Sequence, residues 1–538
     1  MLKLTDALSR RAEWEQKGYE LPGFDREAAT AAARKAPKWI HFGAGNIFRA
    51  FPAVLLQTLL DSGEEDTGLI VCEGFDPEII QKAYRPFDNL SLLAVLECAG
   101  TVRKKVVGSV VESLIGDPAE AGDWQRLIQI FEAPSLQMAS FTITEKGYSL
   151  TAPDGSFTPA AQADFEKGTL SPTTLMGKVA ALCLRRYQAG AMPLALVSMD
   201  NCSHNGEKLA AAVQTIAGEW VKRGTAAPGF AAYLADPQKV SFPWSMIDKI
   251  TPRPDAGVQK MLEADGFADT GLIITEKNTY TAPFVNAEEA QYLVVEDCFP
   301  AGRPALEKAG LYFTDRDTVN KVERMKVCTC LNPLHTALAI FGCLLGFDTI
   351  YKEMQDDDLR RLVSKMGYEE GMPVVTDPGI LSPQSFIREV LEVRLPNPFM
   401  PDTPQRIATD TSQKLSIRFG ETIKAYLADG ELDVQSLHII PLVLAGWCRY
   451  LMGIDDNGSP FPPSPDPLLD TVRPLVAGIS LGDKGPFLET LRPILENQAI
   501  FGVDLFAAGL AQRVADAFAQ LVSGKGAVRA ALHKAAQA

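Results

Sequence analysis

Along the first half of the chain, short apolar runs rich in β-branched residues alternate with stretches whose apolar positions recur at helical spacing. Segments 38–43, 69–72, 140–144 and 194–198 are the clearest strand candidates. Between the first two, positions 48–60 carry a helical apolar pattern, and Asp61-Ser62-Gly63 supplies a stop. Strand, turn, helix and strand in that order predict βαβ units and a mostly parallel sheet. Beyond about residue 300 the pattern lengthens into amphipathic or wholly apolar helical stretches at 336–345, 415–427 and 437–452. The organisation expected is an α/β domain over 1–300 and a mainly α-helical domain over 301–538. Segment 455–467, rich in Pro, Gly, Ser and Asp, reads as a loop inside the second domain because helical spacing resumes after it.

Length agrees with this division, since 538 residues exceed the ~250–300 that one hydrophobic core usually supports. Composition is that of a packed globular protein, with 46% apolar and 22% charged residues. A formal charge of -15 without a long basic face argues against nucleic acid as a partner. The apolar runs near 336–347 and 439–448 fall short of the ~18 residues a membrane span needs, and the charged start lacks the apolar core of a signal peptide. Both runs read as buried helices, no membrane partner is expected, and the expected location is cytoplasmic. Nine cysteines are scattered through apolar contexts; Cys328 and Cys330 are the one close pair, with no second pair to complete a metal site.

Residues 39–49 read WIHFGAGNIFR, an apolar strand entering Gly43-x-Gly45 at the start of a helix. Such a turn lets backbone N–H groups approach a pyrophosphate, and Gly43, Gly45, Asn46 and Ile47 are the candidate dinucleotide contacts. The third glycine of the usual fingerprint is absent, with Phe48 in its place, and a plain tight turn would produce the same short motif. The second strand ends at Glu73, with Asp76 shortly after; an acid there accepts from ribose hydroxyls and repels a 2′-phosphate. NAD is therefore expected over NADP, although strand ends also carry acids that merely face water.

The segment from Glu323 to His335, ERMKVCTCLNPLH, gathers a lysine, an asparagine and a histidine ahead of an apolar helix. It resembles the mannitol dehydrogenase family, the polyol-specific long-chain dehydrogenases that include fructuronate and tagaturonate reductases. The resemblance extends over nearly the whole chain, through HFGAGNIFR, TITEKGY at 142–148, SMDNCSHNG at 198–206, MIDKITP at 246–252, EDCFPAGRP at 296–304 and RIATDTSQKL at 406–415. It implies a Rossmann-type N-terminal domain, a helical C-terminal domain and catalysis without a metal. It further implies Lys326 as general acid/base, Asn201 and Asn332 as amides that polarise the reacting oxygen, and His335, Arg406, Lys414 and Asp248 as substrate contacts. Glu323 and Glu145 match family acids associated with proton movement.

The residue types suit alcohol oxidation, in which a base takes the hydroxyl proton as hydride leaves carbon and amides stabilise the developing charge on oxygen. Each also has a structural reading. Lysines on helices usually face water, Asn332-Pro333 is a good N-cap and N1 pair, and residues 200–206 would serve as a turn after a strand. Arg253, Arg406, Lys249 and Lys414 are available to neutralise a substrate carboxylate or to bind hydroxyls.

Lys326 lies six steps before Asn332, one more than is common in the family. At about 100° per residue, an unbroken α-helix would turn Lys326 roughly 180° away from His335. A joint role therefore requires either a π-bulge within 325–332 or a helix end with Asn332 capping a new helix, and the break is the expected solution. The activity expected is NAD-dependent interconversion of a secondary alcohol and a ketone on a linear sugar derivative of mannitol/fructose or mannonate/fructuronate type. A dinucleotide sensor without turnover and an epimerase or isomerase that retains its cofactor are the competing readings.

Overall fold

A computed structural model describes residues 1–538. The chain forms two compact units, Met1–Glu97 with Thr101–Asn320, and Lys321–Ala538 with Cys98–Gly100.

The first unit is built on six parallel strands: β1 (Trp39–Phe42), β2 (Leu69–Glu73), β3 (Val110–Ile115), β4 (Met138–Phe141), β5 (Leu194–Ser198) and β6 (Val240–Ser241). Their spatial order is β3-β2-β1-β4-β5-β6. This is the doubly wound dinucleotide-binding order, in which the crevice lies at the carboxyl ends of the strands where the winding reverses, between β1 and β4. Alternate side chains enter two cores. Ile40, Phe42, Phe141 and Leu196 pack with Leu127 and Phe131 of α3 (Ala121–Glu132), Leu182 of α4 (Leu175–Gln188) and Leu209 of α5 (Asn205–Lys222). Trp39, Val71, Met138 and Val197 face the opposite core, with Phe48 of α1 (Asn46–Ala50) and Leu56 and Leu59 of α2 (Pro52–Asp61). The single helix expected over 48–60 is thus two helices, broken at Phe51 (φ -132°, ψ -73°). Pro52 accounts for the break, because it lacks an N–H for the carbonyl four residues back and disfavours helical backbone at the residue before it.

The second unit is helical, as the sequence pattern predicts. Its central path runs from the second half of α6 (Arg316–Arg324) through a π-helical turn at Met325–Cys330 and α7 (Asn332–Leu345). Arg316–Leu345 holds an 18-residue window of mean hydropathy 1.5, long and apolar enough by composition to cross a membrane, but 83% of that window is buried inside the protein. Its apolarity is accounted for by core packing. Around it lie α8 (Ile350–Met354), α9 (Pro404–Ile407), α10 (Glu421–Ala428) and α11 (Ile439–Tyr450). The helix expected over 415–427 begins with a π-helical turn at Ser416–Gly420, and the 455–467 segment is a loop.

One buried group is costly. Glu353 of α8 is fully buried over Gly342 of α7, and neither carboxyl oxygen has a hydrogen-bond partner. Burial, with a smaller push from Asp356, raises its pKa well above the ordinary carboxylate value. Folding therefore favours the protonated carboxyl. The stability of the neutral form is fully present below the unfolded pKa of about 4.3 and is lost as pH rises toward the folded pKa, at about 1.4 kcal/mol per pH unit. Glu353→Gln should raise Tm by several degrees at pH 8 and by clearly less at pH 5. Thermal unfolding at the two pH values checks this, and an equal or negative shift at pH 8 contradicts it.

Candidate active site

At the end of β1 the chain turns through Gly43, whose φ of +104° disfavours any side chain. A Cβ at Gly43 would also lie 2.1 Å from the carbonyl oxygen of Thr142, just past β4. Gly45 differs: its φ is -80°, and a Cβ there would meet nothing within 4 Å. Its smallness is therefore not demanded by the fold, and it leaves a space that fits a pyrophosphate. Phe48, at the missing third glycine, is fully buried and stacks on His41 of β1 (centroids 4.2 Å, 13°). His41 shares hydrogen bonds with Ser140 Oγ (2.6 Å) and Thr142 Oγ1 (2.8 Å), and burial lowers its pKa to about 3. It is a neutral core histidine tying β1 to β4.

Glu73 and Asp76 part company. Glu73 Oε2 accepts from the Ala44 N–H (2.9 Å), and Oε1 accepts from Phe75 N–H (2.8 Å) and Asp76 N–H (3.1 Å). Its carboxylate is held directly against the glycine turn. Asp76 is 2% exposed and accepts from Thr275 Oγ1 at 2.6 Å, so its side chain is committed to the fold. Of the two acids, Glu73 alone is placed at the turn.

After β5, Asp200 clamps the loop that follows β4. Its carboxylate accepts from the backbone N–H of Ile143 and Thr144 (2.9 Å each) and from Tyr148 OH (2.5 Å), while burial raises its pKa. Thr144 sits at φ +64°, costly backbone for a β-branched residue and held by that clamp. Asn205 fixes the other side of the β5 loop, donating to Asp200 O (2.9 Å) and Ser245 Oγ (3.0 Å). Asn201 is exposed on this anchored loop. Glu145 is exposed and paired with Lys208 at 2.5 Å, and Asp248 is buried at the end of strand Ser245–Asp248. Lys249 donates to Glu288 O (2.8 Å) and Gln291 Oε1 (2.9 Å), and Arg253 stacks over Tyr280 at 4.3 Å.

In the second unit the helical path is interrupted where the extra residue requires it. Within the π turn the Leu331 N–H reaches back five residues to Lys326 O (3.1 Å), and Leu331 then leaves helical geometry (φ -128°, ψ -63°). The two solutions expected as alternatives occur in series. The expected cap is displaced by one residue: Leu331 is the N-cap of α7, Asn332 its first residue, and Pro333 follows in the first turn. Pro333 there sacrifices no intrahelical hydrogen bond, because first-turn N–H groups have no partner inside the helix. Lys326 is 4% exposed rather than in solvent. Glu323 is half-buried on α6. Burial pushes the thiols of Cys328 and Cys330 up to about 11 and about 12.

His335 Nε2 lies 3.4 Å from Asp402 Oδ2 without forming a hydrogen bond. Its pKa falls to about 4 because burial outweighs the Asp402 charge, with Arg418, Arg406 and Arg394 lowering it further. It is neutral at working pH. Asp402 is itself ion-paired with Arg406. Lys414 donates to Thr409 O, and its pKa is lowered by burial and by Arg418. Arg418 donates to Thr336 Oγ1, which in turn donates to Asn332 O (2.9 Å). Sequence reasoning missed Asp402, Arg394, Thr336 and Arg418; the available signal was Arg418 standing one helical turn beyond Lys414. A cavity of about 890 Å³ opens elsewhere in this unit, among His438, Arg513 and Asp516, and none of residues 323–335 lines it.

Comparison with known proteins agrees in both units. Residues 37–308 match the Mannitol dehydrogenase Rossmann domain, and residues 318–522 match the Mannitol dehydrogenase C-terminal domain. The chain is 52% identical to D-mannonate oxidoreductase of Thermotoga maritima over 531 residues, covering 98% of each. It is 31% identical to mannitol 2-dehydrogenase of Cereibacter sphaeroides, over 81% of this chain and 84% of that one. Among solved structures it is similar to Pseudomonas fluorescens mannitol 2-dehydrogenase in a ternary complex with NAD and D-mannitol, with TM-score 0.67, 25% identity and 96% of both chains covered. It is also similar to a substrate-free D-sorbitol dehydrogenase, with TM-score 0.78, 25% identity and coverage of 96% and 97%.

The two glycines of the turn should respond differently to alanine. Gly43→Ala meets both a left-handed backbone and the Thr142 carbonyl, and should lower stability by roughly 2 kcal/mol or more. Gly45→Ala should leave Tm nearly unchanged while weakening NADH binding at least about tenfold, a ~1.4 kcal/mol loss. Thermal unfolding and NADH titration of both variants check this; a stable Gly45→Ala protein with full NADH affinity would mean that the cofactor does not lie at this turn.

Proposed function

The chain belongs to the mannitol dehydrogenase family, and on that footing we propose that it transfers hydride between NAD and a secondary CH–OH group of a linear polyol or sugar acid, with Lys326 as general acid/base. It is a dehydrogenase acting on CH–OH groups with a nicotinamide dinucleotide as cofactor. The name of the 52% identical relative favours the sugar acid, D-mannonate, over the neutral polyol.

The observation that supports the acid/base reading is the interrupted helix: the continuous α-helix that would set Lys326 opposite His335 does not form, and Lys326 is buried. The nicotinamide ring, when bound, supplies the hydride acceptor or donor. Gly43, Ala44, Gly45, Asn46 and Ile47 would hold the pyrophosphate through backbone N–H groups, and Glu73 would take the ribose hydroxyls. Lys326 takes the hydroxyl proton during oxidation and returns it during reduction. Asn332 stabilises the negative charge that develops on the substrate oxygen, a role the family resemblance also gives Asn201. His335, neutral because it is buried, hydrogen-bonds a substrate hydroxyl without adding charge. Asp248, Arg406 and Lys414 hold further substrate oxygens, and Glu323 and Glu145 relay protons. The extra residue between Lys326 and Asn332 falls at the π turn, which supports turnover over the sensor reading.

Lys326→Met should lower kcat by about 10²–10⁴-fold while leaving NADH affinity within about twofold, because the lysine acts on the substrate proton. Steady-state oxidation of D-mannonate and D-mannitol, alongside NADH titration, checks this. Retention of more than about a tenth of wild-type kcat would remove Lys326 from the acid/base role.

Glu73, a carboxylate fixed at the glycine turn, should also make kcat/KM higher with the 2′-hydroxyl cofactor than with its 2′-phosphate. Assays with NADH and NADPH decide this, and equal or reversed values would mean that Glu73 does not face the ribose.

A further inference from the structure

Arg49, Arg186 and Arg449 are buried arginines that direct their guanidinium groups into the fold. Arg49 donates to Ala282 O, Asn46 Oδ1 and Thr281 Oγ1; Arg186 donates to five backbone carbonyls; Arg449 donates to the carbonyls of Leu521, Ile454 and Asp455. Arg418 does not follow this rule. A guanidinium has five N–H donors, and the side chain of Arg418 makes one polar contact, to Thr336 Oγ1. No carboxylate lies within ion-pairing distance of it. Its other nitrogens are not among the sealed, unpartnered atoms of the fold, so they open onto accessible space.

The charged side chains nearby are already engaged. His335, beside Thr336, is neutral. Asp402 is occupied by Arg406, and Lys414 is anchored to the Thr409 carbonyl. A partly desolvated guanidinium with unused donors is costly unless an anion completes it, and its planar fork matches a carboxylate in two parallel hydrogen bonds. Position says which anion. Through Thr336 the guanidinium leans on the helical turn that begins at Asn332 and carries His335, within the segment assigned to substrate.

We propose that Arg418 binds the terminal carboxylate of the substrate, so that the enzyme selects a linear sugar acid over the corresponding neutral polyol. This rests on the dehydrogenase reading above and adds to it the group that distinguishes the two substrate classes.

The test compares wild-type protein with Arg418→Lys and Arg418→Gln in the oxidation of D-mannonate and D-mannitol with NAD, and measures D-mannonate binding by calorimetry. Wild type should prefer D-mannonate. Arg418→Gln should raise KM for D-mannonate by roughly 30-fold or more, as expected for loss of a charge-assisted pair, with a much smaller change in kcat. Arg418→Lys should recover part of that loss, because it restores the charge without the fork. A purely structural role would reduce activity on both substrates by the same factor, and that result, or a D-mannonate KM within threefold of wild type, overturns the proposal. If wild type oxidises neither compound, the proposed activity fails; calorimetry then decides Arg418 separately, since D-mannonate binding that the variants weaken upholds its role and unchanged or absent binding overturns it. Should Arg418→Gln not fold, Arg418→Lys carries the comparison with the same signs.

Discussion

An α-helix advances about 100° per residue, and that constraint governs how one helical path presents a lysine at 326, an asparagine at 332 and a histidine at 335. The protein meets it with a π turn that takes up one residue and a non-helical Leu331 that restarts the helix. Both devices sacrifice regular hydrogen bonding. Packing compensates: Met325, Thr329 and Cys330 within the turn are buried, and the α7 residues from Leu334 through Leu344, His335 apart, form a helix enclosed on every side. Burial of that helix is the stabilisation against which an irregular turn can persist. Pro333 costs nothing at its position, where an interior proline would have cost about 3 kcal/mol.

Desolvation is the second theme, and it decides charge states where local pairing would suggest otherwise. Asp402 beside His335 would ordinarily favour an imidazolium, yet burial and three arginines win and leave the ring neutral. Glu353 faces the same penalty with no partner at all. In the first unit the cost is met by backbone donors instead. Glu73 receives three N–H groups and Asp200 two, so each carboxylate is fixed in place while it fixes a loop: the glycine turn in one case, the loop carrying strained Thr144 in the other.

The parts of the molecule legible in the sequence are those set by short-range pattern. Strands such as β5 match their apolar runs, and a six-residue interval between Lys326 and Asn332 was enough to require an irregular helix. The helix break at Phe51 was readable from Pro52, though the apolar spacing on either side masked it. Long-range partnerships were not legible. Asp76 turns to Thr275 across 199 positions, and Arg418 meets Thr336 across 82; nothing in either local sequence distinguishes these side chains from solvated ones. The exact cap also escaped, because Asn-Pro is as good an N1–N2 pair as an N-cap and N1 pair, and the π turn shifted the register by one.

If the π turn exists to aim Lys326 by taking up one residue, then adding a further residue is the most direct trial. Inserting an alanine after Val327 would exceed what the turn takes up and would swing Lys326 by about 100° relative to α7. Steady-state kinetics and NADH titration of this variant, on protein shown to be folded by its far-UV circular dichroism, give a clear reading. At least a ~100-fold fall in kcat with NADH affinity unchanged is expected; a folded insertion variant that turns over within a few fold of wild type would contradict this.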